Sequence, residues 1–236
     1  MRLPLPQFES RNRHPGYIAE VVETTTTEFL AQCLEPEDLN FATMPPFGSW
    51  VKARDEDSGN QIYAIVYHVT TSPIDSVHRA RALGLSLSEL REQQPQIFAM
   101  LKTEFRAAIV GYQPLYPAQN GNSSAQNGVD HASSRQLQLD AIVYQHLPPR
   151  PPQVHQAVYY CEPQEVIHFS EKLDFLRTLL QVNGAPVDGL AAATIREIYR
   201  LRQADRSWLV QAGRTLSLLL KDDYDRLRII LSQIHL

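Results

Sequence analysis

Four arginines, Arg196, Arg200, Arg202 and Arg206, are the densest concentration of one chemistry in this sequence of 236 residues. Arg196 with Arg200, and Arg202 with Arg206, stand four positions apart, the spacing that stacks side chains on one side of a helix. A basic row of that kind either contacts phosphate or nucleic acid or is an ordinary solvated helix face. From residue 184 onward there are eight Lys or Arg against six Asp or Glu, and before it fourteen against twenty. The asymmetry is mild, and a net charge of −4 argues against a wholesale nucleic-acid coat.

A second group carries apolar chemistry. The stretch "SWLVQAGRTLSLLLKDDYDRLRIIL" brings Trp208, Leu209, Leu216, Leu220, Leu227 and Ile230 into two short helical patterns, more apolar surface than two such helices hide against each other. These six residues are expected to dock a protein partner, with Trp208 as a typical buried anchor. On that reading, removing residues 205–236 leaves the rest of the chain folded and abolishes partner capture. The competing reading makes the same helices the outer core of the preceding domain.

The remaining candidates point to no reaction. The eight histidines form no HExxH, and no pair of them has an adjacent Cys or carboxylate at ligand spacing, so no metal is expected. His68 and His168 read as satisfied polar residues at a strand end and on a helix. Cys33 and Cys161 have no paired spacing, which implies neither a disulfide framework nor a CxxC site. No GxSxG elbow appears. Asp55, Glu56 and Asp57 read as an exposed hairpin tip, since EF-hand spacing is missing. The expectation is a non-enzymatic chain with no cofactor. The N-terminus lacks a signal-peptide apolar region and no 18-residue apolar run occurs, so a soluble, cytoplasmic protein is expected.

The elements that must position these residues follow from periodicity. Tyr17 to Glu23, Glu28 to Cys33, Ser49 to Ala53 and Gln61 to Val69 read as strands separated by turn signals. In the fourth, Ile62, Ala64 and Val66 alternate with Tyr63, Ile65 and Tyr67, so both faces are apolar and both must be covered. A closed barrel wall packed outside by helices satisfies that. Residues 73–104 read as a helical insertion: Asp75 caps one short helix, Ser86 and Glu89 form a capping box for a second, and Pro95 restarts it. Phe105 to Tyr112 returns to strand character, residues 114–135 read as a mobile loop, and Gln136 to Tyr144 alternates as a sixth strand. "LPPRPP" begins at Leu147, and residues 148–153 read as a stiff linker. Beyond it, residues 154–236 read as a helical domain, its first helix starting near Pro163 with Glu162 and Glu165, and Val166, Phe169, Leu173, Leu176 and Leu180 on one face. The class is α+β: a small closed barrel of about six strands with a helical insertion over residues 1–147, followed by a helical bundle.

The ordered motifs "GYIAEVVE", the Thr24 to Thr27 turn, "EFLAQC", "PPFGSWVKA", "QIYAIVYHV" and "PQIFAMLKTEFRAAIVGY" resemble the HAS-barrel domain, the barrel shared by HerA-type hexameric translocases and the ring subunits of rotary ATP synthases. In the translocases the barrel precedes a GxxxxGK[ST] loop, and no such string occurs in this sequence, so the resemblance extends to the barrel and not to nucleotide hydrolysis. What it implies is contact at ring and partner interfaces: a stand-alone interaction or assembly module docking to a ring ATPase or another large complex. The alternative expectation is a nucleic-acid-binding accessory protein that uses Tyr63 and Tyr67 on a barrel face beside the arginine-bearing helix.

Overall fold

Thr25 shows how the first two strands are joined. Its Oγ1 accepts from the backbone N–H of Thr27 at 3.4 Å and of Glu28 at 3.1 Å, so a hydroxyl does the work of a turn carbonyl. The computed structural model describes residues 16–34, 44–74, 83–114 and 142–234. Among them, strands β1 (Tyr17–Thr24), β2 (Glu28–Cys33), β3 (Trp50–Arg54), β4 (Asn60–Pro73), β5 (Leu101–Pro114) and β6 (Ala157–Tyr160) close an antiparallel barrel in the order β1-β2-β5-β4-β3-β6. Closure leaves no unpaired edge along the wall.

Alternation decides the two cores. Phe29, Ala31 and Cys33 of β2 join Ile62, Ala64 and Val66 of β4, with Phe105 and Ile109 of β5, to fill the barrel interior. The opposite face of β4, Tyr63, Ile65 and Tyr67, joins Trp50 in a second core shared with the C-terminal helices. The double cover that the sequence demanded of β4 is thus side chains within and helices without.

The helices are α1 (Leu87–Gln93), α2 (Gln96–Ala99), α3 (Pro163–Phe169), α4 (Phe175–Leu179), α5 (Val187–Leu201), α6 (Arg206–Leu219) and α7 (Tyr224–Gln233). Local signals place their starts: Ser86 and Glu89 form the capping box of α1, Pro163 opens α3 behind a Glu162–Glu165 box, and Asp205 and Asp223 cap α6 and α7.

Three expectations change. The barrel is closed by β6, which pairs with β1 and β3 and lies beyond the proline-rich segment. Of the 136–144 run expected to supply the sixth strand, Tyr144 contributes one bridge to Tyr112, and residues 136–141 lie outside the described residues. The single helix expected from Pro163 is two short ones, and the Gln145 side chain takes up the backbone groups of the break, donating to Phe169 O and Lys172 O and accepting from Phe175 N–H; the apolar row continues across the break. The two long strands also run further than the sequence indicates, leaving residues 74–100 between them. The Asp75-capped helix and the 114–135 loop lie outside the described residues, apart from Pro114, which ends β5.

Two glycines mark where layers meet. Gly48 has φ +83°, and a Cβ there would stand 2.8 Å from Ala193 Cβ on α5. At Gly111 an added Cβ would lie 2.4 Å from Tyr144 O and 2.8 Å from the Phe169 ring. Only a residue without a side chain lets the wall come this close.

Candidate functional site

The six residues assigned to partner docking point inward. Trp208, Leu216, Leu220, Leu227 and Ile230 are buried, Leu209 is half-buried, and all six belong to or pack against the core that also holds Trp50, Tyr63 and Ile65 of the barrel wall. Trp208 Nε1 donates to Ser170 O at 2.8 Å, so its polar end is satisfied inside the molecule. The surplus of apolar surface that suggested a partner is absorbed by α3, α4 and α5.

The arginines do not form one face either. Arg202 turns under α3, where its guanidinium donates to Ile167 O and to Ser170 Oγ and lies 5.4 Å from the Trp208 ring centroid; burial pulls its pKa down from the usual arginine value. Arg200 pairs with Glu197 at 2.6 Å, and Arg196 donates to Gln233 O at the end of α7. Arg206 is exposed. The four-residue spacing of Arg202 and Arg206 loses its helical meaning because Gln203 and Ala204 adopt φ of 53° and 62°, ending α5 before α6 begins. Arg206 therefore heads a different row, on α6.

Where helices meet barrel, β3, β4, β5 and α3 converge on a cluster that the sequence reading did not find. Lys52 Nζ lies 2.5 and 2.7 Å from the two Glu165 carboxylate oxygens. Gln61 Nε2 donates to Glu165 Oε1 at 3.0 Å and to Tyr63 OH at 2.7 Å. Tyr63 OH donates to Gln113 Oε1 at 2.9 Å, and Glu162 N–H donates to Glu165 Oε2 at 2.7 Å. With four contacts from three donors, Lys52, Gln61 and Glu162, the carboxylate recovers the cost of leaving water. Burial, followed by the Glu165 charge, pushes both the Tyr63 phenol and the Cys161 thiol upward. The bonds from Lys52 and Gln61 to Glu165 fasten α3 to the wall. The only advance signal was Glu165 three residues after Glu162, which we read for its capping role alone.

The aromatic and acidic candidates also resolve. Tyr63 and Tyr67 are buried, with ring centroids 5.0 Å apart between Tyr63 and Phe169, so neither offers a stacking face. Asp55 is buried rather than exposed: its Oδ2 accepts from Ser58 N–H and Oγ–H. Asp57 at the tip holds Arg150 at 3.6 Å and Gln153, tying the proline-rich segment down. His68 is exposed, and His168 Nδ1 lies 3.7 Å from Glu171. Among the described residues, no three His, Cys, Asp or Glu stand close enough to hold a metal ion, and no helix is long and apolar enough to cross a membrane.

Past the ladders with β2 and β3, the β4–β5 pair continues as a two-stranded extension: among the described residues Thr71, Ser72 and Pro73 pair with Thr103, Lys102 and Leu101 alone. The connection at its end exposes Ile74, Leu83, Leu87 and Met100.

Compared with known families, residues 18–113 match the model of the HAS barrel domain. The chain therefore carries a HAS barrel domain. The match takes in most of β1 and nearly all of β5, and ends before β6, the strand that closes the wall. No curated protein matches the chain.

Proposed function

We propose that this protein is a non-enzymatic interaction module that docks onto a larger assembly, of the kind HAS barrels serve in ring ATPases. The observation that carries this reading is the exposed apolar surface beside the β4–β5 extension. Three rungs of β4–β5 ladder continue past the ladders with β2 and β3, and the connection beyond them carries Ile74, Leu83, Leu87 and Met100, all more than a third exposed. These side chains add nothing to the two cores, and exposed apolar surface is what interaction sites use. The seam cluster supports the reading from another side, since Lys52, Tyr63, Cys161 and Glu165 are spent on fastening layers. Of the residues named for the nucleic-acid alternative, Tyr63 and Tyr67 are packed, Arg200 is paired and Arg202 is turned inward, which leaves Arg206 exposed without an aromatic platform beside it.

The test is affinity capture with the tagged full chain, with and without nuclease, beside a variant carrying Ile74→Asp and Leu87→Asp. Both positions are exposed, so the variant keeps its fold. Nuclease-resistant capture of a reproducible set of proteins, lost in the variant, is the expected result. Capture that disappears with nuclease, or no stoichiometric protein in any preparation, overturns the reading.

A further inference from the structure

The outer face of α6 carries a row of arginine and aliphatic side chains. Arg206, Val210, Arg214 and Leu218 recur every four residues and all four are exposed, Val210 at 51% and Leu218 at 76%. Ser207, Gln211 and Ser217 lie among them, and Trp208, Ala212 and Leu216 occupy the opposite, buried side. From Arg206 to Lys221 the sequence contains no Asp or Glu. Asp205, just before, is engaged in capping the helix through Ser207 and Trp208. Among the described residues neither Arg206 nor Arg214 has an acidic partner, whereas Arg106, Arg150, Arg200 and Arg226 all have one.

We infer that this face is the docking site for an acidic amphipathic helix of a partner protein. Side chains at four-residue intervals form the ridge that packs into the grooves of a second helix, where aliphatic and charged positions alternate along the contact. Val210 and Leu218 need aliphatic neighbours, and the unpaired guanidiniums need carboxylates, each able to take two hydrogen bonds from arginine. A polynucleotide meets the charges but leaves two aliphatic side chains against phosphate, and the face has no aromatic ring on which a base could stack. A membrane surface calls for a broader apolar face with aromatic anchors, and the one tryptophan of α6 is turned inward. The inference rests on the interaction-module reading and names a partner chemistry for a surface separate from the β4–β5 extension.

The test uses the full chain and a fluorescent synthetic helix with leucines at i, i+4 and i+7 flanked by glutamates. Its controls are a scrambled peptide of the same composition, single-stranded oligothymidylate and phosphatidylserine vesicles. Anisotropy should show salt-sensitive binding of the helical peptide over the scrambled one. Arg206→Glu with Arg214→Glu should weaken it about tenfold, from two exposed attractions turned into repulsions, and Leu218→Asp should weaken it independently. Equal binding of the scrambled peptide, tighter binding of oligothymidylate or vesicles, or indifference to the substitutions overturns the inference. If the peptide fails while the full chain still captures proteins through Ile74 and Leu87, only the α6 site falls; if capture fails too, the module reading falls with it.

Discussion

Replacing Trp208 by alanine separates a core role from a partner-anchoring role. The indole is buried at 4% exposure, its Nε1 donates to Ser170 O, and the Arg202 guanidinium lies over its ring. Truncating a buried Trp costs about 3–5 kcal/mol, and here it also removes the ring beneath a guanidinium and leaves a carbonyl without its donor. About 4 kcal/mol is a large share of the 5–15 kcal/mol that stabilises a typical protein. With a urea m value of about 2–3 kcal/mol/M for a chain of this size, the midpoint should fall by about 1.5 M. The chain has two tryptophans, so the variant keeps Trp50 as its only indole. Trp50 sits on β3 against Phe169 and Phe175 with ring centroids 5.1 and 5.5 Å away, and reports the barrel–helix seam. Its fluorescence and the far-UV dichroism should shift together, because Trp208 and Trp50 share one core. An unchanged midpoint would mean that Trp208 is not a structural core residue, and loss of helix with Trp50 unmoved would mean that the layers unfold separately.

Lys52→Met strips the main partner from Glu165, a carboxylate only 11% exposed. It should cost about 2 kcal/mol in urea unfolding, less than a fully buried pair because some water reaches both groups. Adding Glu165→Gln should restore much of the loss, and no recovery would show that the charge was not the problem. Gly111→Ala places a Cβ against Tyr144 O and the Phe169 ring, an overpacking worth about 2–3 kcal/mol; hydrogen exchange should rise at the Tyr112–Tyr144 bridge, and unchanged protection there contradicts the close approach. Burial raises Cys33 to about 11 and Tyr67 to about 12, so above about pH 9 the unfolded chain releases protons that the folded chain keeps. Stability should therefore fall as pH rises from about 9 toward 12. A melting temperature flat over that range refutes it, and Cys33→Ala should lessen the slope above about pH 9, leaving the share of Cys161.

What was legible in the sequence was local. The alternation of Ile62, Ala64 and Val66 with Tyr63, Ile65 and Tyr67 demanded a wall covered on both sides, and terminal residues announced the starts of α1 and α3. The four residues of β6 are too short a run to show a period, and they acquire strand structure from β1 and β3, which are distant in sequence. The Lys52–Glu165 contact spans 113 positions, beyond any spacing argument.

The arginine row failed for a subtler reason. Counting in fours from Arg202 to Arg206 assumes an unbroken helix, and Gln203 and Ala204 break it in left-handed conformations that normally call for glycine or asparagine. Neither Gln203 nor Ala204 is a residue type that marks such a break; Asp205, the cap of α6, is the signal beside it. Ala204 N–H closes the turn on Tyr199 O at 3.0 Å, and the helix that starts afterwards has a new phase. That reset sends Arg202 inward beneath α3 while Arg206 leads Val210, Arg214 and Leu218 along the outside of α6. A continuous helix would have kept Arg202 in line with Arg206, so the division between a core-facing arginine and a surface row depends on two left-handed residues.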